Sequence, residues 1–454
     1  MFARYRNSWL LLMGLWLTGK ATAQGFKLMR FDETYAYDST GSFYGRLKHL
    51  PLTKGVYVSV GGSARVEYVD FHNEDWGRLG IGHNAFLLQR YDVHADVHLG
   101  RRLRMFAQLR SAWEGGRKNG PRPIDEDHLN LQNLFVDVTA FEKDQRSLVL
   151  RAGKQELDYG SGRLISVREG PNLRLYFTGA KVMYRTSRLR WDAFAMMADT
   201  VKTGVFDNKP TRSPNLWGSY ATLIIPQMGN LDGYYLGIQR EGAVFEEGTA
   251  RELRHTIGGR FWKYGGGFIY NLEWAYQFGR FGPGRISAWT GSVDLGYSFE
   301  TTPGKPTINL RHDYISGDRK AGDGNLQTFN PLYPKGGYFG FSPQIGPVNL
   351  IDIHPYATVS PSNQWTIQAD AVFNWRYSLG DGVYRPSGGF NLGSRGASGR
   401  YIGTAWLLST VYAFSRFVSA NVGIQYFQTG SYLNEIIPFT KNGIFINART
   451  AVKF

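Results

Sequence analysis

From Arg90 to Leu99 polar and apolar side chains alternate without a break: Arg90, Asp92, His94, Asp96 and His98 fall on one face, Tyr91, Val93, Ala95, Val97 and Leu99 on the other. Successive side chains of a strand point to opposite faces, so the pattern predicts a strand with water on one side and an apolar medium on the other. A tilted strand of about 9–11 residues crosses the hydrocarbon layer of a bilayer, and strands of soluble sandwiches are usually shorter. Five ionisable groups in a row suit a wet lumen better than a packed interior. The expected fold class is therefore all-β, a transmembrane antiparallel β-barrel.

The same period recurs along the chain. Gln364, Thr366, Gln368, Asp370, Asn374 and Arg376 alternate with Trp365, Ile367, Ala369, Ala371, Phe373, Trp375 and Tyr377, placing aromatics at the ends where interfacial rings belong. Asn271, Glu273 and Gln277 stand against Tyr270, Leu272, Trp274, Tyr276 and Phe278. A final strand sets Ile444, Ile446, Ala448, Thr450, Val452 and Phe454 outward, with Asn447, Arg449 and Lys453 inward. Its terminal phenylalanine resembles the signal read by outer-membrane assembly machinery. Short turns are expected near Gly100–Arg101, Glu142–Arg146, Ser187–Arg188, Gln227–Asn230, Gly265–Gly267, Thr301–Pro303, Ser360–Asn363 and Phe414–Arg416. Longer links fall near Phe71–Asn84, Gly115–Leu129, Asp158–Leu173, Val201–Asn215, Glu241–Leu253, Phe281–Arg285, Gly317–Gly346, Gly380–Arg400 and Gly430–Lys441. Eight turns and nine loops predict 18 strands with both ends in the periplasm.

The first 23 residues read as a secretory signal: Arg4 and Arg6, an apolar stretch from Trp9 to Leu17, and the small-x-small site Ala21-Thr22-Ala23. Residues 24–54 are expected to form a periplasmic N-terminal extension, and residues 55–454 the barrel. Beyond the signal no apolar run reaches the 18 or more residues of a membrane helix. The absence of cysteine excludes disulfides, thiolate nucleophiles and zinc–thiolate sites. Glycine at 56 residues and aromatics at 15% fit many strands and turns. The formal charge of +15, or +12 without Arg4, Arg6 and Lys20, implies an acidic partner. For a secreted chain an acidic polysaccharide or lipopolysaccharide suits that charge, and nucleic acid is not the expected partner.

If the strand phases hold, Arg65, Arg90, Arg104, Arg110, Arg151, Arg311 and Arg376 point inward, together with Glu67, Asp92, Asp96, Glu114, Asp137, Glu273, Asp313 and Asp370. Arginine offers a rigid fork of donors that matches a carboxylate bidentately, so a ladder of arginines can hand a polyanion from site to site. Interleaved carboxylates would hold the arginines extended and keep each site weak enough to release. Ordinary lumen salt bridges explain the same residues, because charges line porins whatever they carry.

Other chemistry is poorly specified. His94 and His98 would lie about 13 Å apart along a strand, beyond shared metal ligation. No Ser, His and acid pattern marks a hydrolase. The loop acids Asp70-Glu74-Asp75 and Asp125-Glu126-Asp127 lack a calcium-loop spacing and read as solvated loops. No cofactor or metal is expected. The alternatives left open are a porin taking up small anions or sugars, a barrel-embedded hydrolase, and an adhesin using its long loops.

The stretch Leu150-Arg151-Ala152-Gly153-Lys154-Gln155-Glu156-Leu157-Asp158-Tyr159-Gly160, followed by Arg163-Leu164 and by Arg174-Leu175-Tyr176-Phe177-Thr178-Gly179, resembles the central signature of the alginate-export family of outer-membrane barrels. A second segment is similar too, from Ser316-Gly317-Asp318 through Thr328-Phe329-Asn330-Pro331-Leu332-Tyr333-Pro334 to Asn349-Leu350. The resemblance implies an 18-stranded channel through which an anionic uronate polysaccharide leaves the cell, an arginine-rich constriction, and loops gating either end. It adds Arg163 and Arg174 to Arg151 as substrate-binding positions, while Arg65, Arg90, Arg110, Arg311 and Arg376 rest on strand phase. Periplasmic export components would be further partners.

Overall fold

A computed structural model describes residues 26–35, 42–341 and 344–454. The expected signal segment lies outside the described residues. The chain divides into two compact units, residues 1–33 and 34–454. The described part of the first is one tight turn, Arg30–Asp32, closed by the Arg30–Glu33 ion pair at 2.8 Å.

The second unit is a closed antiparallel barrel. Its strands are β1 (Val56–His72), β2 (His83–Leu99), β3 (Leu103–Gly115), β4 (Asp127–Lys143), β5 (Arg146–Gln155), β6 (Phe177–Arg185), β7 (Leu189–Thr200), β8 (Lys209–Ile225) and β9 (Gly229–Phe245). They continue as β10 (Gly248–Lys263), β11 (Phe268–Phe281), β12 (Gly284–Ser298), β13 (Thr307–Ile315), β14 (Leu350–Ser362), β15 (Trp365–Arg376), β16 (Tyr401–Ala413), β17 (Val418–Thr429) and β18 (Gly443–Lys453). Each strand pairs with the next, and β18 returns to β1 from Ser63↔Lys453 to His72↔Ile444. Closure leaves no sheet edge, the condition for strands to cross a bilayer.

The alternation predicted for β2 holds: Arg90, His94 and Asp96 are buried toward the interior, while Tyr91 and Val93 are exposed outside. Lipid replaces water around those outer residues, so exposure of Trp274, Leu310, Trp406 and Leu408 involves no loss of burial. Three expected links are shorter than the sequence suggested. β9 runs on to Phe245 and β10 begins at Gly248, so the Glu241–Leu253 link is a two-residue turn. The Phe281–Arg285 link closes just as tightly, and β8 starts at Lys209 within the presumed Val201–Asn215 loop. Glycine, proline and charged residues in these stretches mimic loop composition, and the cross-strand ladders decide otherwise.

On the turn side, a helix at Phe43–Lys48, capped by Ser42 accepting from the Gly45 amide at 3.0 Å, leads into a short strand, Leu50–Thr53, on β1. Lys48 donates to the Val60 carbonyl at 2.9 Å, and Tyr44 meets Phe417 edge to face. On the loop side, residues 316–349 and 377–400 form the longest excursions, the latter carrying the hairpin Val383–Tyr384/Phe390–Leu392.

Candidate functional site

The loop between β5 and β6 turns into the barrel. It touches widely separated strands: Tyr159 donates to Asp192 on β7 at 2.9 Å and Ser161 to Glu273 on β11 at 2.7 Å, while Arg163 pairs with Asp313 on β13. At its far end Arg65 on β1 donates to the Glu169 and Pro171 carbonyls at 2.9 and 3.0 Å. One loop thus braces most of the lumen.

The loop between β13 and β14 joins it there. The Lys335 amide donates to the Gly162 carbonyl at 2.8 Å, Tyr333 to Leu164 at 2.8 Å, and Ser166 to Tyr333 at 2.9 Å. The two signature-like segments therefore zip together inside the barrel as a short parallel bridge, Ile165↔Tyr333. Phe341 then reaches β17, its amide donating to Gln425 at 2.7 Å. Gly153, in the first of these segments, has φ +132°, and a Cβ there would sit 2.3 Å from the Leu134 carbonyl oxygen, so only glycine fits. Burial and the nearby Arg311 push the Lys335 ammonium below its usual range.

Two charged regions flank this constriction. Along β3–β6 the register aligns Arg104, Asp137, Arg151 and Lys181 in one row. Arg151 grips Asp137 bidentately at 2.6 and 2.8 Å, and Arg104 grips Asp96 at 2.7 and 2.9 Å. Nearer the loops, Arg65, Arg90 and Arg174 converge on the Glu169 carboxylate, Arg174 also holding Glu156 at 3.0 Å. Burial pushes the Glu169 carboxyl up, but the guanidinium groups of Arg90, Arg174 and Arg65 outweigh it and hold it well below the usual carboxylate range.

Across the barrel, beneath the zipped loops, lies a cavity of about 550 Å³ at the turn side. Arg260, Arg311 and Lys335 give it positive charge, Asp232 and Asp370 negative, and Trp262, Tyr338 and Tyr356 supply ring faces. Arg311 is fixed between Asp294, at 2.8 Å, and the rings of Tyr338 and Tyr356, at 4.8 and 5.3 Å.

The expected inward residues all lie on the interior face, but they do not form one site. Arg110 is fully enclosed with Asp127, and Arg376 spends its donors on the Ala397 and Gly399 carbonyls, fastening the β15–β16 loop. Glu67 is held by Arg449 and Asn447, Asp92 by Ser63 and Gln108, Glu114 by Arg117, and Asp370 by His354. The acids of Asp125-Glu126-Asp127 are not a solvated loop: Asp125 and Asp127 are wholly buried, paired with Arg122 and Arg110. Asp75 pairs with Arg78 and Glu74 with Arg117.

Sequence reasoning missed Arg254 and Arg260. The alternation Glu252, Arg254, Thr256, Gly258, Arg260 carried their signal, obscured by the loop placed over the start of β10. Glu169, Lys335 and Tyr338 lie in loops without period, so no sequence signal pointed to them.

Comparison with known proteins agrees with the barrel architecture. Among solved structures, the barrel is similar to OpdO of Pseudomonas aeruginosa, with a TM-score of 0.56 at 11% identity over 87% of this chain and 97% of that one. OccAB1 of Acinetobacter baumannii gives 0.56 at 13% identity, covering 87% and 97%. Pseudomonas aeruginosa OpdK, solved with vanillate, gives 0.54 at 10%, covering 87% and 98%. No curated protein sequence matches the chain. The alginate export family model matches residues 56–447, from the first residue of β1 into β18. The chain belongs to the alginate export family and is a porin-like 18-stranded channel of the bacterial outer membrane.

Proposed function

We propose that this channel passes an anionic, alginate-like polysaccharide outward from the periplasm, passively and through an arginine-rich lumen. The observation that carries the reading is the turn-side cavity, which faces the periplasm when both barrel ends lie there. Its cations Arg260, Arg311 and Lys335 stand beside the rings of Trp262, Tyr338 and Tyr356. Guanidinium forks bind carboxylates, and flat aromatic faces cover the apolar C–H faces of a sugar ring, so together they suit a uronate. Arg65, Arg90, Arg151, Arg163 and Arg174 would continue the path past the constriction, with the interleaved acids keeping each step releasable. In this reading the helix at Phe43–Lys48 belongs to a periplasmic extension available to export components, and the rim meets lipopolysaccharide.

A second reading, inward passage of small carboxylates, draws on the likeness to OpdK, which was solved with vanillate. Single-channel currents of the purified protein in a planar bilayer separate the two. Export predicts anion selectivity with block by polyuronate added on the turn side, weakened by Arg311→Ala. Small-solute uptake predicts permeation by vanillate and indifference to the polymer.

A further inference from the structure

The outer face of the loop-side rim carries a cluster that the pore does not use. Asp70 and His72 are the next outward positions on β1 after Val66 and Tyr68, and His83 opens β2 directly opposite His72 in the ladder. His72 and His83 both bring Nε2 to the same oxygen, Asp70 Oδ1, at 3.2 and 3.0 Å. The ligating atoms of all three residues lie within 4.8 Å of one another. The imidazoles lie face to face at a tilt, with ring centroids 4.7 Å apart. Tyr68 donates its hydroxyl to the other carboxylate oxygen, Oδ2, at 3.3 Å, which orients the group and leaves Oδ1 toward the imidazoles.

We propose that Asp70, His72 and His83 bind one divalent transition-metal ion of the zinc type on the outer rim of the barrel. Tetrahedral ligation with bonds of about 2.0–2.1 Å places donor atoms roughly 3.4 Å apart, close to the two distances observed here. Two imidazoles and a single carboxylate suit Zn²⁺ and not Ca²⁺, which takes six to eight oxygens. The cross-strand pairing of His72 with His83 fixes the two rings before any ion arrives, so little is lost in ordering them. Tyr68 is the carboxylate's orienting partner, a role commonly filled around metal ligands. The site is reachable: the His72 and His83 side chains are 46% and 51% exposed. Three protein ligands leave a fourth position open to water. A bound ion would clamp the ends of β1 and β2 beneath the loop of residues 73–82.

The test is calorimetric titration of tag-free, detergent-solubilised full-length protein with Zn²⁺, alongside His83→Ala and Asp70→Asn. The expected result is one Zn²⁺ per chain, with affinity reduced at least tenfold in either variant. Co²⁺ in its place should give the visible absorption of a tetrahedral centre, which a nonspecific surface ion would not. Both substituted positions are on the outside of the barrel, and an unchanged β-sheet circular dichroism spectrum confirms folding. Absence of Zn²⁺ uptake by the wild type, wild-type affinity retained in either variant, or Ca²⁺ binding as tightly as Zn²⁺ would each overturn the proposal.

Discussion

Arg174 holds Glu169 at 3.3 Å through Nη1 and Glu156 at 3.0 Å through Nε, so the end of the β5–β6 loop is tied back to its own beginning inside the lumen. Arg65 and Arg90 complete the grip on Glu169 from β1 and β2. The protein's own carboxylate thus sits where three guanidinium groups converge, the place a passing uronate would otherwise take.

Replacing that carboxylate should strengthen anion binding. In Glu169→Gln the three arginines lose the carboxylate they share, Arg174 keeping Glu156, and the donors so released become available to solute. Half-block by polyuronate is expected at a roughly tenfold lower concentration, the equivalent of about 1.4 kcal/mol and in keeping with one charge-assisted contact. Anion selectivity should rise as well. Unchanged block and selectivity would remove these arginines from the solute path.

The same grip sets a pH expectation. Because the Glu169 carboxyl is held well below its ordinary range, its contribution to loop docking is fully present above the free carboxylate's pKa and is lost only as pH falls through the depressed value. Channel conductance should therefore show no step between about pH 5 and 8 that Glu169→Gln abolishes. Recording current at fixed voltage over that range checks this, and a Glu169-dependent step would contradict it.

Asp381 behaves in the opposite sense. It accepts from the Asp318 amide at 2.8 Å, Thr328 at 2.6 Å and Tyr384 at 2.7 Å, tying the β13–β14 loop to the β15–β16 loop. Burial pushes its carboxyl up to about 6, more than these hydrogen bonds lower it. Docking is then strongest below the free carboxylate's pKa of about 3.9 and weakens as pH rises through about 6. Amide hydrogen exchange in residues 316–349 should accelerate across that window. Asp381→Asn should abolish the pH dependence and loosen the loops at all pH values, since its amide NH₂ replaces an oxygen that accepts from one backbone amide and one hydroxyl, at a cost of about 1–3 kcal/mol.

Two arginines of similar sequence character should fail differently. Arg110 and Asp127 are both completely enclosed, so Arg110→Ala strands a buried carboxylate and is expected to cost about 3–5 kcal/mol of stability. Arg311 borders the open cavity, and Arg311→Ala should shift ion selectivity with little effect on melting. Thermal unfolding and reversal potentials measured on both variants test the contrast. Equal melting temperatures would mean that the Arg110–Asp127 pair is not the enclosed link described here.

Alternation along the chain specifies the barrel, its 18 strands and which face of each strand is wet. Strand alternation is a local property, and two different solvents act on every residue of a strand such as 90–99. It also placed Arg65, Arg90, Arg151 and Arg311 on the interior face, because phase alone fixes direction. Tertiary structure decided which of those residues meet solvent and which are used up holding loops. Arg376 and Arg311 have the same phase signal, yet one is spent on loop carbonyls and the other borders a cavity. The zipped segments around Gly162 and Lys335, the docking of Glu169 and the Asp70–His72–His83 cluster all join residues distant in sequence or separated by a loop. No period encodes such contacts. They arise only when closure of the sheet brings its interior, its loops and its rim into register.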